Sequence, residues 1–127
     1  MARSNLEIVE EMWRAFERHG LVGILDYAAE DAVWIPYSAD GREFTSTADY
    51  RLFIEEMPDR EEIIEARAHD FEERDDFVVV SGAIRVRRQG ALMDTYVHWV
   101  HRLADEQVVW TASFPERKHA LEAAGLG

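Results

Sequence analysis

The segment His98-Trp99-Val100-His101 sets two imidazoles three residues apart. On a strand such residues point to opposite faces, whereas a chelating pair must share one, so no metal site is read here. His69 and His101, even if both point inward, would lie two strands and several rungs apart, roughly 15 Å from the strand spacings, too far to share one small ligand atom. That leaves single-residue acid–base chemistry. His101 is the first candidate, because it sits on the inward side of its strand and titrates near neutral pH; His69 is the second. For both, the competing role is a hydrogen-bonded core histidine. His19 reads as a helix-end residue facing terminal carbonyls and His119 as a surface residue of the last helix. Arg67 and Glu65 are charged-group candidates in a strand whose mixed pattern suits a solvated edge. No Ser-His-Asp triad, phosphate-binding glycine loop or paired catalytic carboxylates appear among the readable motifs.

These residues need a frame to hold them. From Ser4, the residues Leu6, Val9, Trp13 and Phe16 recur at steps of three and four, with Ser4 and Glu7 in capping-box spacing and Gly20 as the stop. A short second helix is predicted over 21–29, a strand over 32–35 ended by Pro36, and a third helix from Ser46 or Thr47 carrying Tyr50, Phe53, Ile54 and Met57 up to Pro58. The period then changes to that of strands at about 62–74, 77–88, 92–103 and 107–113, with turns at Asp75-Asp76 and Gln89-Gly90. A last helix opens at Pro115-Glu116 and ends at Gly125. The order α-α-β-α-β-β-β-β-α predicts an α+β fold in which a curved antiparallel sheet wraps around helices, as one domain over 1–127.

Registers follow from the turns. A two-residue turn at Gln89-Gly90 pairs Val86 with Met93, Ile84 with Thr95, Gly82 with Val97, Val80 with Trp99 and Val78 with His101 on an inward face. The outer face takes Arg85 with Asp94, Ala83 with Tyr96, Ser81 with His98 and Val79 with Val100. The turn at Asp75-Asp76 places Phe71 beside Val80, His69 beside Gly82 and Arg67 beside Ile84, all inward; Glu73-Arg74-Asp75 give no apolar pattern to pin this register, and a one-residue slip would send His69 outward. For the last hairpin, a two-residue turn at Asp105-Glu106 sends Val108, Trp110, Ala112 and Phe114 inward, and a three-residue loop sends Val109, Thr111 and Ser113.

The charge balance limits the partners. With 14 Lys and Arg against 26 Asp and Glu, net −12, the chain lacks the cations that displace counterions from nucleic acids or anionic bilayers. The acids fall on helix exteriors, turns and the stretch from Glu61 to Asp76, describing a solvated shell. The absence of Cys excludes thiolate metal sites and thiol nucleophiles. Neither a signal-like apolar start nor a membrane-length apolar run is seen, so a cytoplasmic location is expected.

The runs Val9-Glu10-Glu11-Met12-Trp13-Arg14-Ala15-Phe16, Asp31-Ala32-Val33-Trp34-Ile35-Pro36, Arg102-Leu103-Ala104-Asp105 and Ala120-Leu121-Glu122-Ala123-Ala124-Gly125-Leu126, in this order of elements, resemble SnoaL-like members of the nuclear transport factor 2-like superfamily. The resemblance spans essentially the whole chain. It implies a cone-shaped sheet around an apolar pocket and dimerisation through the outer sheet face, in a group that includes ketosteroid isomerases, polyketide cyclases, limonene epoxide hydrolases and dehydratases. Ketosteroid isomerases carry a carboxylate base just before the proline ending the first strand, where this chain has Ile35, and an oxyanion-binding acid at the position of Trp99. Both carboxyl groups are missing, so that arrangement is not expected to operate. The family's alternation also favours Val109, Thr111 and Ser113 facing the pocket, although Glu106 stands where its hairpin usually has Gly.

The expectation is therefore a cofactor-free, metal-free domain holding a small hydrophobic or aromatic molecule among Trp13, Phe16, Trp34, Phe53, Val97, Trp99, Thr111 and Ser113. His101, or His69, would serve cyclase-, isomerase- or dehydratase-type proton transfer. The alternative is a non-catalytic binding or interaction module that dimerises through Tyr96, His98, Val100, Trp110 and Phe114. Tyr37, Ser38 and Asp40 are expected at the pocket's rim, with Asp40-Gly41 as a turn.

Overall fold

A computed structural model describes residues 4–36 and 42–125. Helix α1 runs over Asn5–His19; the Ser4 side chain accepts from the Glu7 backbone N–H and Glu7 returns the bond, completing the capping box. A 3-10 helix over Leu21–Tyr27 leads into strand β1, Ala28–Ile35, which starts four residues earlier than the sequence suggests. Helix α2 spans Thr47–Glu55 with Ser46 as its cap, and a 3-10 turn over Pro58–Arg60 leads to the sheet. The remaining strands are β2 (Glu62–Arg74), β3 (Phe77–Arg88), β4 (Ala91–Ala104) and β5 (Gln107–Phe114), followed by helix α3 (Arg117–Ala123). Pro115 thus precedes the last helix instead of lying in its first turn.

The sheet order is β1-β5-β4-β3-β2. β2 to β5 form an antiparallel meander, while β1 joins β5 in parallel, the one pairing that departs from an all-antiparallel sheet. β1 reaches that edge through α2 and the meander, with no hairpin turn to force the antiparallel sense. On its other side, Trp34 and Phe44 exchange two backbone hydrogen bonds of 2.8 Å.

The β3–β4 register is the one the Gln89-Gly90 turn predicts, from Val78 opposite His101 to Val86 opposite Met93. Both turn residues have positive φ, 50° and 86°, which matches the twist of the strands they join. The β2 register departs at one point. Phe71 faces Val80 as expected, but a bulge at His69 then shifts the pairing so that Ala68 faces Gly82 and Arg67 faces Ala83. His69 and Arg67 are therefore exposed, not inward, and Ile64, Ala66 and Ala68 take the inner positions. A glycine is required opposite this bend, because a Cβ on residue 82 would collide with the Arg67 carbonyl.

The last hairpin combines both expected registers. A two-residue turn at Asp105-Glu106, with φ of 51° and 62°, sets Leu103 opposite Val108; a bulge at Val109 then sets His101 opposite Thr111 and Trp99 opposite Ser113. Val108, fully buried, takes the inward place expected for Val109.

The main core lies between α1 and the inner sheet face, with Ile8, Val9, Met12 and Trp13 against Val78, Val80, Ile84, Val97 and Trp99. A smaller cluster on the outer face packs Ala120 and Ala124 over Val79 and Val100, flanked by Trp110 and Phe114. Val100 is therefore closed beneath the chain's own last helix and is not available to a partner, a correction to its expected place on a dimer surface. Helix packing buries this end of the outer face because its apolar residues would otherwise meet water.

Candidate functional site

At one end of the main core, α1, β1 and the inner faces of β2 to β5 enclose a cavity of about 60 Å³. Its wall is formed by Met12, Trp13, Trp34, Ile84 and Trp99, and half-buried Phe16, Leu21, Ile35 and Pro36 lie toward solvent. That volume holds a few waters or a very small organic molecule, since a cavity of about 150 Å³ is needed to take up benzene. A ring-sized guest would have to displace the half-buried side chains at the solvent side.

The aromatic wall is held from several elements. Trp13, on the inner side of α1, meets Trp99 edge-on at 4.6 Å between ring centroids and Phe16 at 5.7 Å. Trp34 stacks on Tyr50 at 4.8 Å. Its Nε1–H donates to Thr47 Oγ1 at 3.1 Å, and that hydroxyl donates to the Ala29 carbonyl. The capping segment of α2 thereby fixes the indole's orientation.

His101 is 2% exposed, and both its ring nitrogens are engaged. Trp13 Nε1–H donates to Nε2 at 3.3 Å, and Nδ1 lies 2.9 Å from Thr111 Oγ1. Burial lowers its pKa from 6.5 to about 3, so the ring is neutral at physiological pH. Indole N–H can only donate, which makes Nε2 the acceptor and puts the ring proton on Nδ1, directed at Thr111. A general acid of this type needs the acidic proton of an imidazolium at the working pH and a general base needs a vacant lone pair; this neutral imidazole offers neither while Trp13 is in place. Its geometry is that of a positioning residue.

Of the residues expected to surround a pocket, Trp13, Phe16, Trp34, Trp99, Thr111 and Ser113 border the cavity together with His101. Val97 is completely buried in the core and Phe53 packs near Phe44 and Tyr50, so neither reaches it. His69 is remote, in the β2 bulge on the exposed side. His98 lies on the outer face, as its spacing from His101 requires, with Nδ1 2.7 Å from Ser81 Oγ. Its pKa is lowered by partial burial and then by Arg117. Tyr37, Ser38 and Asp40 lie outside the described residues. Among those described, no three His, Asp or Glu side chains gather into a metal-binding group, and no helix is long and apolar enough to cross a membrane.

Tyr50, expected on the third helix beside Phe53, also borders the cavity. Burial, and secondarily the Glu62 carboxylate, raise its pKa, so the phenol stays protonated. Glu62 is itself 4% exposed and pairs with Arg88 at 3.0 Å. The alternating strand pattern gave no sign of this buried acid at the start of β2.

The SnoaL-like domain family matches residues 9–111. Among solved structures, a nuclear transport factor 2-like protein of unknown function from Burkholderia pseudomallei aligns at 21% identity and TM-score 0.75, covering 95% of this chain and 97% of its own. A second such protein, from Burkholderia thailandensis, aligns at 16% identity and TM-score 0.78, covering 98% of each chain. A putative polyketide cyclase from Xanthomonas campestris pv. campestris aligns at 16% identity and TM-score 0.71, covering 91% of this chain and 96% of its own. At these identities the likeness is one of fold. No curated protein matches the chain.

Proposed function

The chain belongs to the SnoaL-like domain family, and on that footing we propose that it binds a small neutral, mainly apolar molecule in the cavity at the end of its main core. The observation that carries this reading is an aromatic wall closed around a short polar group, Trp13, His101 and Thr111, with no Lys, Arg, Asp or Glu among the described lining residues. Sites of this composition hold ligands by apolar burial and orient them with few hydrogen bonds. A charged ligand would be left unpaired there. Proton transfer of the cyclase, isomerase or dehydratase type would need a base other than His101, so the reading supported is binding and orientation without a cofactor.

Filling the cavity tests this. Titration of the ¹⁵N-labelled protein with benzene or cyclopentanone, which enter by displacing the half-buried side chains at the solvent side, is expected to move the indole signals of Trp13, Trp34 and Trp99 and spare the outer sheet. Ala66→Leu, which places a larger side chain against the cavity, is expected to weaken binding by about tenfold or more through lost space, with the fold retained. Absence of binding, or equal binding by the filled variant, overturns the reading.

A second reading, homodimerisation through the outer sheet face, is supported by Tyr96 at 72% exposure, with Leu92 and Ile63 exposed on the same face away from α3. Exposed aromatic and aliphatic residues sharing one sheet face suit an interface between copies. Tyr96→Glu is then expected to halve the mass measured by light scattering. A wild-type protein already of monomer mass refutes this reading.

A further inference from the structure

The hydrogen bonds at the closed side of the cavity run in one direction. Trp13 Nε1–H can only donate, so His101 Nε2 accepts and His101 Nδ1–H must donate to Thr111 Oγ1. The threonine oxygen spends a lone pair on that bond and keeps its own O–H, for which no described residue is an acceptor. Thr111 is 7% exposed and lines the cavity, so water or a ligand there can accept this bond. The register that brings it there is set by the bulge at Val109; without that bulge the parity of β5 would turn Thr111 outward.

We propose that Thr111 is the specificity-determining residue of this cavity, selecting neutral ligands with a carbonyl or ether oxygen over hydrocarbons of the same shape, and that Trp13 and His101 act as positioning residues that keep its hydroxyl a donor. This rests on the binding reading above. A ligand oxygen that accepts from Thr111 makes the bond that water would otherwise make, whereas a hydrocarbon excludes water and leaves the buried O–H without an acceptor. The same one-way arrangement gives no advantage to ligands that can only donate.

The test compares cyclopentanone with methylenecyclopentane, which exchange C=O for C=CH2 at nearly constant shape. Dissociation constants from NMR titration of the wild-type protein are expected to favour the ketone by about 5- to 10-fold, the worth of one hydrogen bond. Thr111→Val is expected to bring the ratio close to one while the hydrocarbon binds as before, and Thr111→Ser to restore the preference for the ketone. Trp13→Phe, which removes the N–H that fixes the tautomer, is expected to reduce the ratio even if it changes the affinity for both probes. Ring ¹⁵N shifts of His101 in the wild type provide a reading independent of any variant's folding: Nδ1 protonated supports the proposal, and Nε2 protonated overturns it. Equal binding of the two probes by the wild type refutes the selectivity alone and leaves the pocket standing. Binding of neither probe refutes both.

Discussion

Trp34→Ala is expected to lower the unfolding free energy by about 3–5 kcal/mol, the range for removing a buried large aromatic side chain. Several contributions put it at the upper end of single-site effects. The indole is 1% exposed, stacks on Tyr50 and donates to Thr47 Oγ1. Its loss would join a new void to the existing cavity and remove one of the two hydrogen bonds by which Thr47 ties β1 to the start of α2. Thr47 keeps its bond to the Ala29 carbonyl, so the cost comes mainly from lost packing and not from an orphaned donor. Urea unfolding of the two proteins measures the difference. The enlarged cavity supplies a control, because benzene in solution should recover part of the loss by binding only the folded variant. A loss below about 1.5 kcal/mol would mean that the wall collapses into the gap, contrary to its being braced from several elements.

The limits of reading the sheet from its sequence have a specific physical origin. The β3–β4 pairing was readable because one tight turn fixes every partner, and the resulting pairs, such as Arg85 with Asp94 at 2.9 Å and Ser81 with His98, are chemically complementary. In β2 the inward residues change parity, from Ile64, Ala66 and Ala68 to Phe71, which a regular strand cannot accommodate. That change was the available sign of the bulge at His69. β5 changes parity in the same way between Val108 and Thr111 while its partner keeps Leu103, His101 and Trp99 on one face, so the bulge belongs to β5. The all-apolar pair Val79 and Val100 on the outer face likewise required a cover, which α3 and its C-terminal cap supply with Ala120 and Ala124, too small to stand out in a sequence.

The candidate site was legible only as a set of residue types. Trp13 and His101 are 88 positions apart, and the bond between them depends on how α1 settles across the sheet, which no local pattern encodes. An inward histidine on a strand was read as a titrating group because its unperturbed pKa is near neutral. Burial against Trp13 and Thr111 removes the water that would stabilise its cation. The same packing that brings the imidazole to the cavity thus takes it out of acid–base service near neutral pH.

That burial has a consequence for stability with a definite sign. The unfolded chain carries His101 at its ordinary pKa of 6.5, whereas in the folded protein burial lowers it to about 3. Between these values the unfolded state takes up a proton that the folded state refuses, so this residue's contribution is intact above pH 6.5 and is lost as the pH falls toward 3. The loss approaches about 1.4 kcal/mol per pH unit and reaches about 2.5 kcal/mol between pH 7 and pH 4.5. Acid destabilisation as such would prove nothing, since 26 carboxylates also titrate as the pH falls. The comparison must therefore be with His101→Gln, whose amide can accept from Trp13 or donate toward Thr111 but carries no titrating nitrogen. Urea unfolding at pH 7 and pH 4.5 is expected to show the variant less stable at pH 7 and the gap narrowing or reversing by about 2.5 kcal/mol at pH 4.5, the carboxylate effects cancelling between the two proteins. In the wild type, the His101 ring signals should remain those of the neutral imidazole down to pH 4.5. Parallel stability curves, or protonation of the His101 ring above pH 4.5, would show that water reaches the ring, and the enclosure that makes it a fixed neutral link between Trp13 and Thr111 would be lost with it.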